Sequence, residues 1–157
     1  MEHWWFKVEE VSEMFMGEFD HTTDPKGRLI VPSKFREGLG DTFVITKGLD
    51  GCLLAYDKQE WQIVTEGLHN LSLVDKAGRQ FTRFFFAGAA EIEMDKQGRI
   101  LIPTKLREFA NITKDVVTLG ADNKVEIWSK DRYEGLETSS EEMDDIMHRL
   151  AEMGVRI

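Results

Sequence analysis

The sequence contains an internal duplication, and this feature constrains the fold more than any other. Residues 24–37 (DPKGRLIVPSKFRE) return 71 positions later as residues 95–108 (DKQGRILIPTKLRE). Seven of the fourteen aligned positions are identical, and most of the others exchange similar side chains. The chain is therefore expected to contain two copies of one structural unit.

Each copy begins with a pattern that predicts a tight turn. Residues 24–27 place Asp24 first, a proline second and Gly27 fourth, which are the preferences of a type I β-turn. The second copy keeps the aspartate and the glycine at residues 95 and 98, and an aliphatic run typical of a strand follows both turns. Arg28 and Arg99 are predicted to project from these rigid loop tips where each strand begins.

A short helix and a hairpin are predicted after each of these strands. Pro32 and Pro103 fix the backbone, and Ser33 and Thr104 are expected to be the N-caps of short helices, the first of which ends at Gly38 and Gly40. The pair Asp50-Gly51 and the turn residues 120–123 then lie between β-type runs, which indicates one hairpin in each copy.

The size of each copy favours a shared core. A copy spans about 40 residues, near the lower limit at which a chain folds alone without metals, disulfides or a partner. We therefore predict an α+β fold in which the two repeats pair into one barrel-like β core with approximate two-fold symmetry. The expected organisation is an N-terminal extension (1–13), a first unit (18–60), a helical connector (61–88), a second unit (89–132) and an acidic C-terminal helix (133–157).

The connector and the tail carry amphipathic patterns. Residues 59–68 and 79–86 are predicted helices, and the run Phe84-Phe85-Phe86 is expected to lie mostly in the core, although it could serve a subunit interface. Residues 137–153 predict a helix whose apolar stripe docks while its acidic side chains face water. The aromatic residues near the start, Trp4 to Phe6, are interpreted as part of an extension without function.

Charge is distributed unevenly along the chain. The formal net charge of −9 argues by itself against a nucleic-acid partner, because phosphate neutralisation needs a positive surface. Each repeated core nevertheless holds four cationic against two acidic side chains, whereas residues 134–152 hold seven acidic side chains against one arginine. Basic side chains are thus concentrated around the predicted turns.

The single cysteine and the hydropathy pattern suggest an intracellular protein. Cys52 cannot form an internal disulfide, and its aliphatic neighbours predict a small buried side chain. No apolar run approaches the length of about 18 residues that predicts a membrane span, and the first residues lack the apolar core of a signal peptide. A cytoplasmic location without membrane association is expected.

The paired Asp-x-x-Gly-Arg turns, each followed by a proline and an Arg-Glu pair, resemble the MraZ family of bacterial transcriptional regulators from about Met14 through the C-terminal helix. The resemblance implies two swapped-hairpin units of the SpoVT-AbrB type. It also implies a nucleoid-associated regulator, usually a repressor, that assembles into a homo-oligomeric ring. Its partner would be double-stranded DNA with short direct repeats, upstream of a division and cell-wall gene cluster that includes its own gene.

The DNA-binding residues that the resemblance implies lie in the two turns. In the first copy they are Asp24, Lys26, Gly27 and Arg28. In the second copy they are Asp95, Gly98 and Arg99 with Lys96 beside them, but Gln97 replaces the lysine of the first copy.

Arginine can bind guanine edges through two hydrogen bonds, whereas lysine can neutralise a phosphate. We hypothesise that Arg28 contacts bases, and that Lys26 and Arg99 contact the DNA backbone. The alternative is that Arg28 and Arg99 only brace the turns through salt bridges to their own aspartates. The neighbouring cations are expected to be solvated or paired with the two repeated glutamates; they are Lys34, Arg36, Lys105 and Arg107.

Two other functional classes are weaker. A ring-forming interaction module or antitoxin-like protein without DNA binding is favoured by the acidic helix and by the phenylalanine run. An enzyme is weaker still, because the four histidines have no metal-ligand spacing, no nucleophile motif is present, and the paired carboxylates of residues 141–145 lie on a predicted solvated helix. No catalytic residue, metal, cofactor or small-molecule substrate is expected.

Overall fold

A computed structural model describes residues 14–71 and 74–157 of the chain, so the predicted extension at residues 1–13 lies outside the described residues. The strands are β1 (Glu18–Thr22), β2 (Arg28–Ile30), β3 (Thr42–Lys47), β4 (Leu53–Asp57), β5 (Ala90–Glu93), β6 (Arg99–Leu101), β7 (Asp115–Gly120) and β8 (Val125–Ser129). The α-helices are α1 (Ser33–Leu39), α2 (Lys58–Leu68), α3 (Lys76–Gly88), α4 (Thr104–Phe109), α5 (Lys130–Glu134) and α6 (Ser140–Glu152).

The two copies exchange strands within one antiparallel sheet. Its order is β1-β7-β8-β4-β3-β5, and β2 pairs with β6 in a separate two-stranded ribbon. The first strand of each copy joins the hairpin of the other copy, with Asp20 opposite Val117 and Phe43 opposite Ile92. The predicted hairpins β3–β4 and β7–β8 are confirmed, and they meet where β4 pairs with β8.

This arrangement confirms the prediction of an α+β fold with two paired repeats. Each strand of the first copy has a counterpart in the second copy, and the pairs β4–β8 and β2–β6 lie between the two halves. The hydrogen-bonded order of the large sheet starts at β1 and ends at β5. Closure of a barrel therefore stays a prediction.

The main core lies under the ribbon and is built by both copies. Leu29 of β2 and Ile100 of β6 are buried beside Phe35 of α1 and Ile45 of β3. Phe35 also makes an edge-to-face contact with Phe19 of β1, with ring centroids 5.3 Å apart. Because each copy supplies only part of this cluster, one copy alone would expose apolar surface.

A second apolar cluster lies between the sheet and the connector helices. It contains Cys52, which immediately precedes β4, together with Tyr56 of β4, Trp128 of β8 and Phe85 of α3. The predicted burial of Cys52 is confirmed, and burial raises the pKa of its thiol to about 12, so the thiolate form is disfavoured at neutral pH. Within the phenylalanine run, Phe85 is buried, whereas Phe86 is partly exposed.

The N-cap prediction is wrong for both short helices. Pro32 and Pro103 occupy the N-cap positions without a side-chain hydrogen bond, and Ser33 and Thr104 are the first helical residues. Proline is suited to this place because its ring holds the extended backbone from which the helix begins. Gly40 ends α1 at φ 81° as predicted, whereas Gly38 lies inside the helix.

The apolar stripe of helix α6 is only partly covered within the chain, with Ile146 and Leu150 half-buried, so the docking prediction is not confirmed for a single copy. None of its residues is buried, and Met143 and Met147 are each more than 40% exposed. A cleft of about 600 Å³, lined in part by Val117, Tyr133 and Leu136, lies beside the start of the helix. In the described part of the chain, no helix combines the length and the apolar character needed to cross a lipid bilayer.

Candidate nucleic-acid interface

The first turn is organised by the side chain of Asp24. Its Oδ1 accepts hydrogen bonds from the backbone N–H groups of Lys26 at 2.9 Å and Arg28 at 2.8 Å. The Gly27 N–H also donates to the Asp24 carbonyl at 2.9 Å, which closes the predicted four-residue turn. Gly27 has φ +82°, a left-handed conformation that glycine adopts without a steric penalty.

The second turn repeats this geometry with different residues in the middle. Asp95 Oδ1 accepts hydrogen bonds from the N–H groups of Gln97 and Arg99, both at 2.9 Å, and the Gly98 N–H donates to the Asp95 carbonyl at 3.0 Å. The aspartate and the glycine therefore suffice for the shape, and the proline and lysine of the first copy are not required for it.

Both arginines brace their own turns, as the alternative hypothesis predicted. Arg28 Nε lies 2.7 Å from Asp24 Oδ2, and Arg99 Nε lies 2.8 Å from Asp95 Oδ2. These contacts use only the Nε–H. Within residues 14–71 and 74–157, no hydrogen bond engages the terminal nitrogens of either guanidinium. Bracing therefore leaves the end of each arginine available for a ligand.

The two aspartates keep their negative charge into acidic solution. Hydrogen bonds from the backbone N–H of Arg28 are the main cause that lowers the pKa of Asp24 below 3.8, and Arg99 does the same for the pKa of Asp95. The partner guanidiniums lower both pKa values further. The turns consequently retain their ionic braces across the physiological pH range.

The ribbon brings the two arginines onto one surface. Arg28 lies opposite Leu101, and Ile30 lies opposite Arg99, because β2 and β6 are antiparallel. Alternate residues of a strand point to opposite faces, and the middle residue of each strand points into the core. Arg28 and Arg99 thus share the outer face as diagonal neighbours, roughly 7–8 Å apart at their Cα atoms.

The antiparallel ribbon also makes each turn depend on the other copy. The turn before β2 lies beside the end of β6. There the Arg107 guanidinium of α4 covers Gly27, and a Cβ added at Gly27 would lie only 2.6 Å from Arg107 Cζ. Arg36 of α1 covers Gly98 in the same way, with a Cβ at that glycine 2.7 Å from Arg36 Nη2. Both glycines are buried.

The expectation that Arg36 and Arg107 are solvated or paired with glutamates is therefore wrong. Their side chains are partly buried, and their Nε–H groups donate to backbone carbonyls, Arg36 to Val31 at 2.8 Å and Arg107 to Ile102 at 3.0 Å. The reason is that proline turns each chain back over the ribbon, which places the following helix beside the opposite turn. Lys34 and Lys105, on the same two helices, are exposed.

The predicted site residues thus form one surface with two ends. Lys26 and Arg28 lie at one end of the ribbon, and Lys96 and Arg99 lie at the other; both lysines are exposed. Sequence reasoning missed Arg36 and Arg107 as supports of the turns. It also missed two aliphatic side chains that share the outer face of the ribbon, although the alternation in Arg-Leu-Ile and Arg-Ile-Leu carries that signal.

Comparison with known proteins finds one family that matches both copies. A family model described as "MraZ protein, putative antitoxin-like" matches residues 14–84 and again residues 85–153. A protein of Lachnoclostridium phytofermentans is 54% identical over 142 residues, which cover 90% of this chain and 99% of that protein. Proteins of Acetivibrio thermocellus and Clostridium beijerinckii are 52% and 51% identical, covering 90% of this chain and 100% of each relative. All three relatives carry the name "Transcriptional regulator MraZ".

Proposed function

The chain belongs to the MraZ family, and from that premise we propose that it is a sequence-specific DNA-binding transcriptional regulator. The observation that carries the proposal is the outer face of the β2–β6 ribbon, where two braced arginines keep their terminal nitrogens free of hydrogen bonds within the described residues. Two exposed lysines lie in the adjacent turns. This surface is cationic although the whole chain is acidic.

A two-stranded ribbon fits the major groove of B-DNA. In the proposed complex the terminal nitrogens of Arg28 donate to O6 and N7 of a guanine, and Lys26 contacts a phosphate. Arg99 and Lys96 contact the DNA backbone at the other end of the ribbon. Asp24, Gly27 and their counterparts in the second copy shape the turns. Pairing each aspartate with Nε of its arginine offsets a negative charge that would otherwise repel the phosphates.

A homo-oligomeric ring would supply the affinity that one chain lacks. One copy offers few cations near the DNA and carries a net charge of −9. Helix α6 exposes an apolar stripe that another copy could cover, including Met143 and Met147. A closed ring would repeat the basic turns and raise their effective concentration along the duplex. Successive subunits would then meet successive direct repeats.

The target that the family resemblance implies is the region upstream of a division and cell-wall gene cluster, including the gene of this protein. Occupation of direct repeats there by a ring would hinder transcription, so we propose repression as the outcome. The proposed location follows from this target and is the cytoplasm, at the nucleoid.

The test is the affinity of Arg28→Ala for a duplex from the upstream region at several salt concentrations. Removal of a base-binding guanidinium should weaken binding roughly 5- to 140-fold, which corresponds to about 1–3 kcal/mol for one bidentate arginine–guanine pair. Arg83→Ala is the matched control, because Arg83 is an exposed residue of α3 and the change removes the same charge. Equal affinity of the Arg28 variant and the control would remove Arg28 from the mechanism.

Salt dependence separates base recognition from phosphate binding. In a plot of log affinity against log salt concentration, Lys26→Ala should make the negative slope shallower by about one, because one phosphate is no longer neutralised. Arg28→Ala should instead change the affinity more than the slope, because hydrogen bonds to a base edge release no counterions from the phosphates. These measurements together distinguish specific recognition from simple attraction of a cationic face to a polyanion.

A second candidate function is a protein-interaction module of antitoxin-like type, without DNA binding. The observation that favours it is the exposed stripe of α6, which begins beside the cleft lined by Tyr133 and Leu136. Native mass measurement with and without the upstream duplex distinguishes the two functions. An intact oligomer that binds no DNA at low salt would favour the interaction module.

A further inference from the structure

Two large aliphatic side chains lie exposed between the arginines of the ribbon. Ile30 is 46% exposed and Leu101 is 55% exposed, although their strand neighbours Leu29 and Ile100 are buried. The exposed pair lies on the outer face, where Leu101 is directly opposite Arg28 and Ile30 is directly opposite Arg99. Each arginine of this face therefore has an aliphatic side chain as its cross-strand neighbour.

This pattern is not required by the core. The inner face of the ribbon already packs against the main cluster through Leu29 and Ile100, and alternation places the third residue of each strand outside. Aliphatic side chains lie at this outer position in both copies. Exposed lysines in the two adjacent turns and the arginines themselves make the surroundings cationic, which favours a polyanion over an apolar protein partner.

We propose that Ile30 and Leu101 contact thymine C5-methyl groups in the major groove and thereby add thymine specificity at both ends of the ribbon. This inference rests on the proposed DNA-binding function. Cross-strand neighbours have Cβ atoms about 4.5–5.5 Å apart, while successive base pairs are about 3.4 Å apart along the axis. Leu101, the cross-strand neighbour of Arg28, and Ile30, two residues from Arg28 on the same strand, therefore lie over base pairs near the guanine, where the thymine methyl is the apolar group that the groove offers.

The proposed contacts specify which bases the DNA site should contain. Leu101 specifies a thymine beside the guanine bound by Arg28, and Ile30 specifies a thymine near the nucleotides contacted by Arg99. Each contact buries one methyl group against one aliphatic side chain, without any hydrogen bond. Replacing thymine by uracil removes only that methyl group and leaves the hydrogen-bonding pattern of the base pair unchanged.

The test compares binding of the full chain to two versions of the upstream duplex, one with thymine and one with uracil throughout, at one salt concentration. Burial of one methyl group corresponds to roughly a four-fold change in affinity, from about 0.8 kcal/mol per buried carbon. With two contacts in each chain, every bound chain should contribute roughly a 15-fold preference for the thymine duplex. The double variant Ile30→Ala/Leu101→Ala should bind both duplexes with nearly equal affinity.

Ile63→Ala is the matched control, because Ile63 of α2 is 55% exposed and belongs to the connector. It should keep the full preference for thymine. Wild-type protein that binds both duplexes equally, or a double variant that keeps the preference, would overturn the inference while leaving DNA binding itself intact. Failure of wild-type protein to bind either duplex would overturn the proposed function as well.

The oligomeric mass of the double variant tests the competing role of this face. An unchanged mass supports a free, DNA-facing surface. A smaller assembly would show that Ile30 and Leu101 lie between copies of this chain, and that result would overturn the inference.

Discussion

Replacing Gly27 by alanine tests whether Arg107 of the second copy holds the first turn in shape. Gly27 has a left-handed backbone, and its Cβ would lie 2.6 Å from Arg107 Cζ. The guanidinium is tethered, since Nε donates to the Ile102 carbonyl at 3.0 Å and Nη2 donates to Thr104 Oγ1 at 3.1 Å. Alanine must therefore adopt an unfavourable backbone conformation and also displace a hydrogen-bonded side chain.

The two costs can be separated by a matched glycine. A left-handed backbone costs a non-glycine residue about 1–2 kcal/mol. Gly154 has a similar φ, +90°, at the end of α6, where the Val155 N–H donates to the Leu150 carbonyl; its Cβ would meet no atom of the described residues within 4 Å, so Gly154→Ala should cost only that amount. Displacing the Arg107 guanidinium sacrifices charged hydrogen bonds of about 1.5–3 kcal/mol. The free energy of unfolding should therefore fall by about 2.5–5 kcal/mol in Gly27→Ala.

Urea denaturation followed by tryptophan fluorescence measures these differences, provided that the m-values of the variants agree. The double variant Gly27→Ala/Arg107→Ala completes a double-mutant cycle, in which the excess cost of alanine at position 27 should disappear once the guanidinium is gone. If Gly27→Ala costs no more than Gly154→Ala, the guanidinium yields freely and Arg107 does not support the turn.

Two further predictions concern stability. Burial lowers the pKa of the His21 imidazole below 6.5; the charge of Asp20 opposes this shift and the charge of Arg36 reinforces it. As pH falls, His21 is therefore protonated in the unfolded chain before it is protonated in the folded chain. The free energy of unfolding should consequently fall as pH drops below about 6.5. Urea midpoints between pH 5 and 8 measure this slope, and an unchanged slope in His21→Gln would contradict the assignment. Gly120→Ala should cost about 1–3 kcal/mol or more, because its Cβ would lie 2.6 Å from Met16 Cα. Hydrogen exchange at the Phe15 N–H, which donates to the Asp122 carbonyl, should rise in that variant, and unchanged protection would refute the clash.

The features that the sequence predicted correctly are those set by local chemistry. Asp24 and Gly27 define a turn through their own side-chain and backbone preferences, and the repetition predicted that the second turn would match. The hairpin at Asp50 and Gly51 is another case, since both residues adopt the positive φ values that such short turns require. In these segments the determining contacts lie within four residues.

The features that were missed depend on pairing between distant segments. Nothing near Arg107 indicates that it covers Gly27, because that contact arises only when β2 and β6 pair antiparallel. The exchange of β1 and β5 between the hairpins is also non-local; the small size of each copy predicted that the repeats pair, and the family resemblance implied swapped hairpins, but neither specified the strand order. The apolar stripe of α6 predicted correctly that the helix is amphipathic, but the pattern could not specify whether its partner lies within the same chain.

The differences between the two copies give the proposed DNA-binding face a direction. A perfect two-fold ribbon would contact both strands of a palindromic site equally. Here the first turn has its lysine at position 26, whereas the second turn has Gln97 at the equivalent position and its lysine, Lys96, one residue earlier, so the two turns present their charge at different places. Ile30 and Leu101, the aliphatic side chains beside the arginines, differ as well. A chain bound through this face would therefore have a preferred orientation on the duplex. Copies that are related by rotation around a ring would share that orientation, which matches direct repeats rather than inverted ones.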